Sequence, residues 1–367
     1  MIRLDHNVNS ILQVAPQASH RAILKHIAQA PARAAHDAAR AWILNPKFYA
    51  HITLEMQENR ALRLISRRRF SIRERFKKKI LASLVFWRSL KLRLARTVCI
   101  PRLKGEGLMA NLSHVLEVLH RVRPDASVHV DWVLDGSEQG FRYGQVGENV
   151  WTGLFRPLDT QPHHRCFHAV GMVDYTFWGT GKDYLKGRVL KRHRDVYNQT
   201  LVNWVEIVNP RVLEEVRSIY DRSLNGRLCI GIHRRVGNPL VSNLQGDGAI
   251  PSIERFIECV RAKVRSCAAT DWAVFLATDD ADAVPLLRQE FGQRLVVRDQ
   301  VRRTTADEAE VHFSDWGNLS LADAEDVLID TLLLARCDVL LHASSSVSTM
   351  AGLLNPALCL VRVAAVG

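Results

Sequence analysis

RLCIGIHRRVGN, residues 227–238, decides how this chain folds, because an apolar run without helical period ends in a cluster of basic residues. Residues 228–232 form the apolar run, and His233, Arg234 and Arg235 follow it. A buried parallel strand that delivers a binding loop at its carboxyl end has this pattern. In open α/β sheets, ligands bind outside such strand ends, and arginine forks suit phosphate. A basic surface loop is the alternative interpretation.

Four further apolar segments follow, and helical patterns or loops separate them. One of the helical patterns covers 325–337. Five strands with four crossovers predict a doubly wound parallel sheet. We therefore expect a C-terminal α/β domain over 226–367. The four segments are 273–277, 295–297, 339–342 and 359–363.

A smaller α/β pattern precedes this domain. Residues 97–134 contain a strand, a glycine-containing turn, a helix and a second strand, and a helical pattern broken at Pro210 covers 183–222. The change of composition at Thr97 marks the start of this part. We expect a first α/β domain with a helical connector over 97–225.

Residues 1–96 are predicted to form a helical, basic N-terminal extension. Residues 60–96 carry fourteen Lys and Arg and a single acid, Glu74, which accounts for the whole net charge of +12. Apolar residues recur there at three- and four-residue steps, which is typical of an amphipathic helix. Docking onto an anionic membrane surface is one interpretation, and a solvated helical face is the other. An RNA-binding arm is a weaker hypothesis, so nucleic acid is not the expected partner.

Composition excludes several classes of protein. The hydrophobic fraction of 47% is enough to fill proper cores. The seven cysteines are scattered and never form Cys-x-x-Cys, so neither a disulfide framework nor a zinc module is expected. No apolar stretch reaches the length of a membrane span, and the N-terminus has no apolar signal region. We expect a cytoplasmic protein, with peripheral membrane contact through 60–96.

Two more predicted strands end in polar residues that suit a nucleotide. Asp279 and Asp280 follow the second strand, and a carboxylate there can accept hydrogen bonds from the N1 and N2 hydrogens of guanine. Capping of the next helix is their alternative role, and we expect one to cap and the other to bind. Ser345 and Ser346 belong to a serine run that enters a helix, where free N–H groups bind phosphate or a serine caps the helix.

His233-x-Arg235-x-Gly237-Asn238 resembles the His-x-Arg loop of GDP-fucose-dependent transferases, and most closely that of the bacterial nodulation α-1,6-fucosyltransferases. LATDD, residues 276–280, resembles the second motif of this family and of the animal core α-1,6-fucosyltransferases. LIDTLLLARCDVLLHASSSVS, residues 328–348, resembles the third motif. All three motifs follow the order of the family.

The resemblance implies a GT-B architecture, in which two Rossmann-like domains face each other, the donor binds in the C-terminal one and a glycan acceptor enters the cleft. By carry-over, Arg235 would hold the β-phosphate of GDP-fucose and stabilise the departing GDP, and His233 would contact the nucleotide. A fixed arginine can replace a metal ion, so no metal and no cofactor beyond the donor are expected. The donor-binding candidates are Gly237, Asn238, Asp279, Asp280, Ser345 and Ser346, with Asp279 on guanine.

The catalytic base is the open point of the resemblance. Val236 occupies the place of a second arginine in the core-fucosylating enzymes, while Arg234 would point elsewhere. Asn243 falls where those enzymes have an acid, and the nearby acids are Asp247, taken as the candidate base, and Glu254. The hypothesis is an inverting transferase that moves L-fucose from GDP-fucose to a glycan hydroxyl. The alternatives are the same fold with another nucleotide sugar, or a non-catalytic nucleotide- or glycan-binding protein with a membrane-docking helix.

Overall fold

The chain divides into two compact units, Met1–Arg69 and Phe70–Gly367, and every residue described below belongs to the second. The predicted basic extension lies outside the described residues except for its last seven. No helix in the described part is long and apolar enough to cross a membrane. The computed structural model describes residues 90–102, 107–133, 143–159, 166–169, 188–235, 251–301, 303, 320–343 and 345–364.

The first sheet is parallel, and its described strands lie in the order β2–β1–β3. Val98 and Ile100 of β1 point into the core and alternate with Cys99, which lies on the opposite face of the pleat. The following helix, α1, is buried along nearly its whole length because it packs on this sheet and on helices of the second half. The elements are β1 (Thr97–Pro101), α1 (Leu108–Arg121), β2 (Ser127–Asp131) and β3 (Phe167–His168).

Among the described residues, two helices occupy the stretch 183–222 for which the sequence predicted a helical connector, and one short helix precedes them in the first half. The last of them begins at Pro210, the predicted break, because proline fits the first helical turn and the Asn209 side chain accepts a hydrogen bond of 3.0 Å from the Val212 N–H. A π-helical turn follows. These elements are α2 (Val150–Leu154), α3 (Arg188–Trp204), α4 (Pro210–Ile219) and the π turn Tyr220–Leu224.

The second sheet confirms the predicted doubly wound fold. Its described strands are all parallel and lie in the order β6–β5–β4–β7–β8. The chain runs outward from β4 to β6 and then returns to build β7 on the other side of β4, so the topological switch point lies between β4 and β7. The strands are β4 (Leu228–Arg234), β5 (Trp272–Thr278), β6 (Leu295–Val297), β7 (Val339–His342) and β8 (Cys359–Arg362). The helices are α5 (Ile253–Ser266), α6 (Ala283–Phe291), α7 (Leu321–Ala335) and α8 (Ser346–Leu354).

Two buried clusters cover the faces of this sheet. One lies under α5 and α6, and the other runs from α7 and α8 into the first sheet and α1, so the two sheets share a continuous core. Gly231 at the centre of β4 lets α7 approach closely: a Cβ there would lie 3.0 Å from a methyl group of Leu334 and 3.2 Å from the Cys337 sulfur. This close packing fixes the end of β4 relative to α7. The α/β class with two parallel sheets is therefore as predicted.

Candidate active site

A cavity of about 120 Å³ lies at the carboxyl ends of β4 and β5, close to the switch point of the second sheet. Ligand pockets usually measure roughly 300–1,000 Å³, so this cavity is smaller than a typical ligand site. Leu108, Met109 and Tyr143 contribute the wall from the first half of the molecule. Four of the predicted site residues contribute from the second half: His233, Arg235, Asp279 and Ser346.

Arg235 presents a cationic group to this cavity. Its Nε lies 3.9 Å from Asp279 Oδ2, and the two side chains are 31% and 14% exposed. The contact is too long for a strong hydrogen bond. The buried Nε atom has no hydrogen-bond partner among the described residues. An anion bound in the cavity would supply that partner.

The same distance bears on the predicted role of Asp279. If Arg235 held the β-phosphate of GDP while Asp279 held guanine, opposite ends of one nucleotide would have to meet at two side chains 3.9 Å apart. The two assignments are compatible only if the pair separates when the nucleotide binds. Asp279 as it stands is better placed to orient the Arg235 guanidinium.

His233 is a neutral group at this site. It is 7% exposed, and its Nδ1 lies 3.2 Å from the Ser345 hydroxyl oxygen. Burial lowers the pKa of His233 to about 3, and the charge of Arg235 acts in the same direction. The sequence grouped His233 with the cations, and the structure corrects this, because the buried imidazole is neutral and can act only as a hydrogen-bonding group without charge.

The two predicted serines have different positions. Ser345 caps α8, since its Oγ accepts a hydrogen bond of 3.1 Å from the Ser348 N–H while its own N–H donates to Ser348 Oγ at 3.2 Å. Ser346 is the first residue of α8 and lines the cavity. The N-terminal N–H groups of a helix have no partner within it and attract anions. The start of α8 therefore provides an anion-binding surface beside Arg235.

Asp280 and Arg234 form a buried pair behind the cavity. Their carboxylate and guanidinium are in contact, and their side chains are 5% and 11% exposed. Asp280 Oδ1 also accepts a hydrogen bond of 3.0 Å from the Asp282 N–H just before α6. Asp280 does not line the cavity and organises the start of the helix, while Asp279 lines the cavity. The sequence interpretation of Arg234 as a residue pointing elsewhere agrees with this contact.

Three other predicted candidates cannot be placed. Gly237, Asn238 and the candidate base Asp247 lie in the segment 236–250, outside the described residues. Glu254, the other nearby acid, is exposed in the first turn of α5 and does not line the cavity.

Sequence analysis missed three acids on α7 that line the cavity: Asp323, Asp326 and Asp330. Their spacing of three and then four residues puts them on one face of a helix, and that spacing was the available signal. The guanidinium of Arg298 donates to Asp326 at 2.7 Å and to Asp330 at 3.1 Å. Burial raises the pKa of Asp330 to about 6, against the opposing effect of Arg298. Asp330 is thus a partly buried carboxylate at the wall of the cavity.

This arrangement lies within a segment that has a family match. Residues 192–362 match the family model of Nodulation protein Z (NodZ). The resemblance predicted from the three motifs is confirmed by this match. All cavity residues from the second half belong to the NodZ-matched segment, whereas Leu108, Met109 and Tyr143 precede it.

Several solved structures are similar to the chain. A NodZ alpha-1,6-fucosyltransferase soaked with GDP-fucose shares 16% identity at a TM-score of 0.44, covering 71% of this chain and 93% of that one. The fucosyltransferase NodZ from Bradyrhizobium shares 16% identity at a TM-score of 0.43, covering 71% and 94%. POFUT1 in complex with GDP-fucose shares 12% identity at a TM-score of 0.40, covering 73% and 98%. No curated protein matches the chain.

Proposed function

We propose that this protein is an inverting glycosyltransferase that transfers L-fucose from GDP-fucose to a hydroxyl group of a glycan acceptor. The observation that carries the proposal is the Arg235 guanidinium, whose Nε has no hydrogen-bond partner among the described residues, in a cavity beside the start of α8. The NodZ match over 192–362 supports the choice of donor, since NodZ is named as an alpha-1,6-fucosyltransferase and was soaked with GDP-fucose.

The chemistry of the departing nucleotide explains why these groups suit the reaction. When the bond between fucose C1 and the β-phosphate oxygen breaks, negative charge grows on the diphosphate. Arg235 and the N–H groups at the start of α8, where Ser346 lies, are placed to stabilise that charge. Together they can supply the positive potential that a divalent metal supplies in other nucleotide-sugar enzymes. We therefore propose that the departure of GDP needs no metal.

The base of the nucleotide requires a carboxylate, because guanine presents two adjacent N–H donors at N1 and N2. Asp279 was the predicted partner, but it lies 3.9 Å from the arginine assigned to the phosphate. Asp330 lines the same cavity, and one of its carboxylate oxygens accepts a hydrogen bond from Arg298. We propose Asp330 as the guanine contact and Asp279 as the residue that orients Arg235.

The acceptor would bind against the first half of the molecule. Leu108, Met109 and Tyr143 face the donor residues across the cavity. A sugar hydroxyl that attacks fucose C1 from the side opposite GDP would enter here, and this displacement would invert the configuration at C1. Asp247 stays our candidate for the base that removes the hydroxyl proton. The proposed location is cytoplasmic, with the basic segment 60–96 at a membrane surface.

A nucleotide panel tests the donor class. GDP, GDP-fucose, UDP and ADP are added separately to the full chain, and the unfolding temperature is recorded. A nucleotide at a hundredfold excess over its dissociation constant stabilises the folded state by about 2.7 kcal/mol. We expect a shift with GDP and GDP-fucose only, and release of GDP from GDP-fucose when a suitable glycan is added. A shift with UDP and none with GDP would overturn the donor assignment.

A further inference from the structure

A second group of side chains with ligand chemistry lies on the first sheet. The thiols of Cys99 and Cys166 and a ring nitrogen of His168 all lie within 4.8 Å of one another. The sulfur of Cys166 is 3.5 Å from Nε2 of His168. None of these three residues lines the nucleotide cavity described above. The cluster is therefore separate from the donor site.

The sheet register brings the three residues together. Cys99 of β1 pairs with His168 of β3, so their side chains leave the sheet on the same face. Cys166 is two residues before His168 on the same extended segment and shares that face. The Ala169 N–H donates to the Cys99 carbonyl at 2.8 Å, which anchors β3 against β1. The cluster is thus held by backbone pairing and not by a mobile loop tip.

We propose that Cys99, Cys166 and His168 bind a zinc ion. Zinc takes tetrahedral sites with Zn–S bonds of about 2.3 Å and Zn–N bonds of about 2.0–2.1 Å, so neighbouring ligand atoms stand roughly 3.4–3.8 Å apart. The separation of 3.5 Å between Cys166 and His168 lies in that range. Two thiolates and an imidazole favour zinc over magnesium or calcium, which prefer oxygen ligands. His168 is exposed, which leaves a fourth position open to water.

The charges around Cys99 suit a cation. The Asp131 carboxylate acts electrostatically on the Cys99 thiol. When a thiol binds zinc, its proton passes to solvent while the sulfur–metal bond forms. The same carboxylate that disfavours a bare thiolate attracts a divalent cation. Zinc would then join β1 to β3, a strand of only two residues, and would act as a structural clamp on the acceptor side.

The zinc proposal departs from an expectation drawn from the sequence. Scattered cysteines without Cys-x-x-Cys indicated no zinc module, but that rule concerns ligands that are close in the sequence. Cys99 lies in β1 and Cys166 directly precedes β3, and the two meet only because β1 and β3 are neighbours. The proposed zinc is structural and does not alter the metal-free departure of GDP proposed above.

Metal analysis of the full chain, prepared without an affinity tag or chelator, is the first test. We expect one zinc per chain. Co²⁺ added to the zinc-free protein should give the thiolate-to-cobalt charge-transfer absorption and intense visible bands of a tetrahedral site. Substoichiometric zinc together with no charge-transfer absorption would overturn the proposal.

Variants then assign the ligands. Cys166→Ser and His168→Gln should each weaken zinc binding by about tenfold or more, because even residues that only orient a ligand have effects of this size. Cys267→Ser is the matched control, since Cys267 is exposed and outside the cluster. Circular dichroism and GDP binding report whether each variant is folded. Equal zinc affinity in all three variants would contradict the assignment.

A count of free thiols separates zinc from its main competitor, a disulfide between Cys99 and Cys166. The denatured, unreduced chain should show all seven thiols once the metal is removed. Two missing thiols that return with a reductant, and that are not missing in Cys166→Ser beyond the replaced residue, would identify the Cys99–Cys166 disulfide and overturn the zinc proposal.

Discussion

The Nδ1 atom of His233 lies 3.2 Å from the Oγ atom of Ser345, and this contact joins the end of β4 to the start of α8. The two residues are separated by more than a hundred positions in the chain and meet at the switch point of the sheet. Because Ser345 also caps α8, the contact fixes both the imidazole and the direction of the helix N-terminus. Their geometry positions the anion-binding surface beside Arg235.

Replacing Arg235 by Ala should lower the rate of fucosyl transfer by roughly 100- to 1,000-fold, as expected when a group that stabilises developing charge is lost. The free energy of unfolding should change little, because the side chain is 31% exposed and its contact with Asp279 is long. Steady-state kinetics and urea denaturation measure the two effects. Unchanged transfer by the variant would remove Arg235 from the mechanism.

Arg234→Ala is the matched control, because it removes the neighbouring arginine. This change leaves the Asp280 carboxylate buried without its cation. Loss of one partner of a buried pair typically costs about 3–5 kcal/mol of folding free energy. We expect Arg234→Ala to unfold at lower urea and, where folded, to keep most of its transfer rate. If Arg234→Ala lost transfer while Arg235→Ala lost stability, the roles that we assign to the two arginines would be reversed.

Asp330→Asn and Asp279→Asn separate the two carboxylate roles. GDP and inosine diphosphate differ by the N2 amino group, so a carboxylate that binds guanine should favour GDP by roughly 10- to 100-fold. We expect Asp330→Asn to lose this preference. Asp279→Asn should weaken the binding of both nucleotides equally, because it leaves Arg235 without the residue that orients it. Competition binding gives all four affinities. A preference lost only in Asp279→Asn would restore the guanine role predicted from the sequence.

Two of the buried histidines in the described part of the chain, His233 and His342, have lowered pKa values and predict the response of the protein to acid. Burial lowers the pKa of His342 from 6.5 to about 4, and it lowers the pKa of His233 further, to about 3. The unfolded chain takes up these protons first, so stability is full above about pH 6.5 and falls as the pH drops toward 4. At about pH 5, each of these histidines should lower the free energy of unfolding by about 2 kcal/mol.

His342→Asn isolates one of these contributions. The side-chain amide can replace Nδ1 in its 3.2 Å contact with the Ala343 carbonyl but cannot gain a proton. Between about pH 7.5 and 5, the variant should therefore lose less free energy of unfolding than the parent. Asp330 also changes its charge between about pH 5 and 7.5. Its effect on the free energy of unfolding is the same in both proteins and cancels in the comparison. Identical pH slopes would show that His342 is not a source of acid sensitivity.

Deleting residues 1–89 tests the proposed membrane role of the basic segment. We expect the shortened chain to lose its salt-sensitive binding to vesicles that contain anionic lipid, while its protection by GDP is retained. The cut precedes Leu92, which is fully buried in the core, so a longer deletion through residue 96 would remove a core side chain. Vesicle sedimentation is the measurement. Equal sedimentation of both chains would refute membrane docking through this segment.

The strands of the second half were predictable because each is a short apolar run, and burial on both faces selects such runs directly. The start of α7 was not. We predicted a helix from 325, whereas it begins at Leu321 after a capping box between Ser320 and Asp323. That signal was present in the sequence, and missing it left Asp323, the first acid on the cavity face, outside the predicted helix.

Other features depend on contacts that no local pattern contains. The neutral state of His233 follows from its burial between β5, β7 and α8. The approach of Cys99 to Cys166 follows from the pairing of β1 with β3. Tertiary structure alone creates these two features, and a single sequence does not show which strands are neighbours.

The connector helix α3 is attached to the far end of α8. Arg194 donates to the carbonyl oxygens of Gly352, Asn355 and Leu358 at 2.8–2.9 Å, and Asn198 donates to that of Leu353 at 2.9 Å. These bonds satisfy carbonyls that the end of a helix leaves open. A chimera that exchanges acceptor halves between relatives should therefore be joined before α3, so that this helix is inherited together with the donor half.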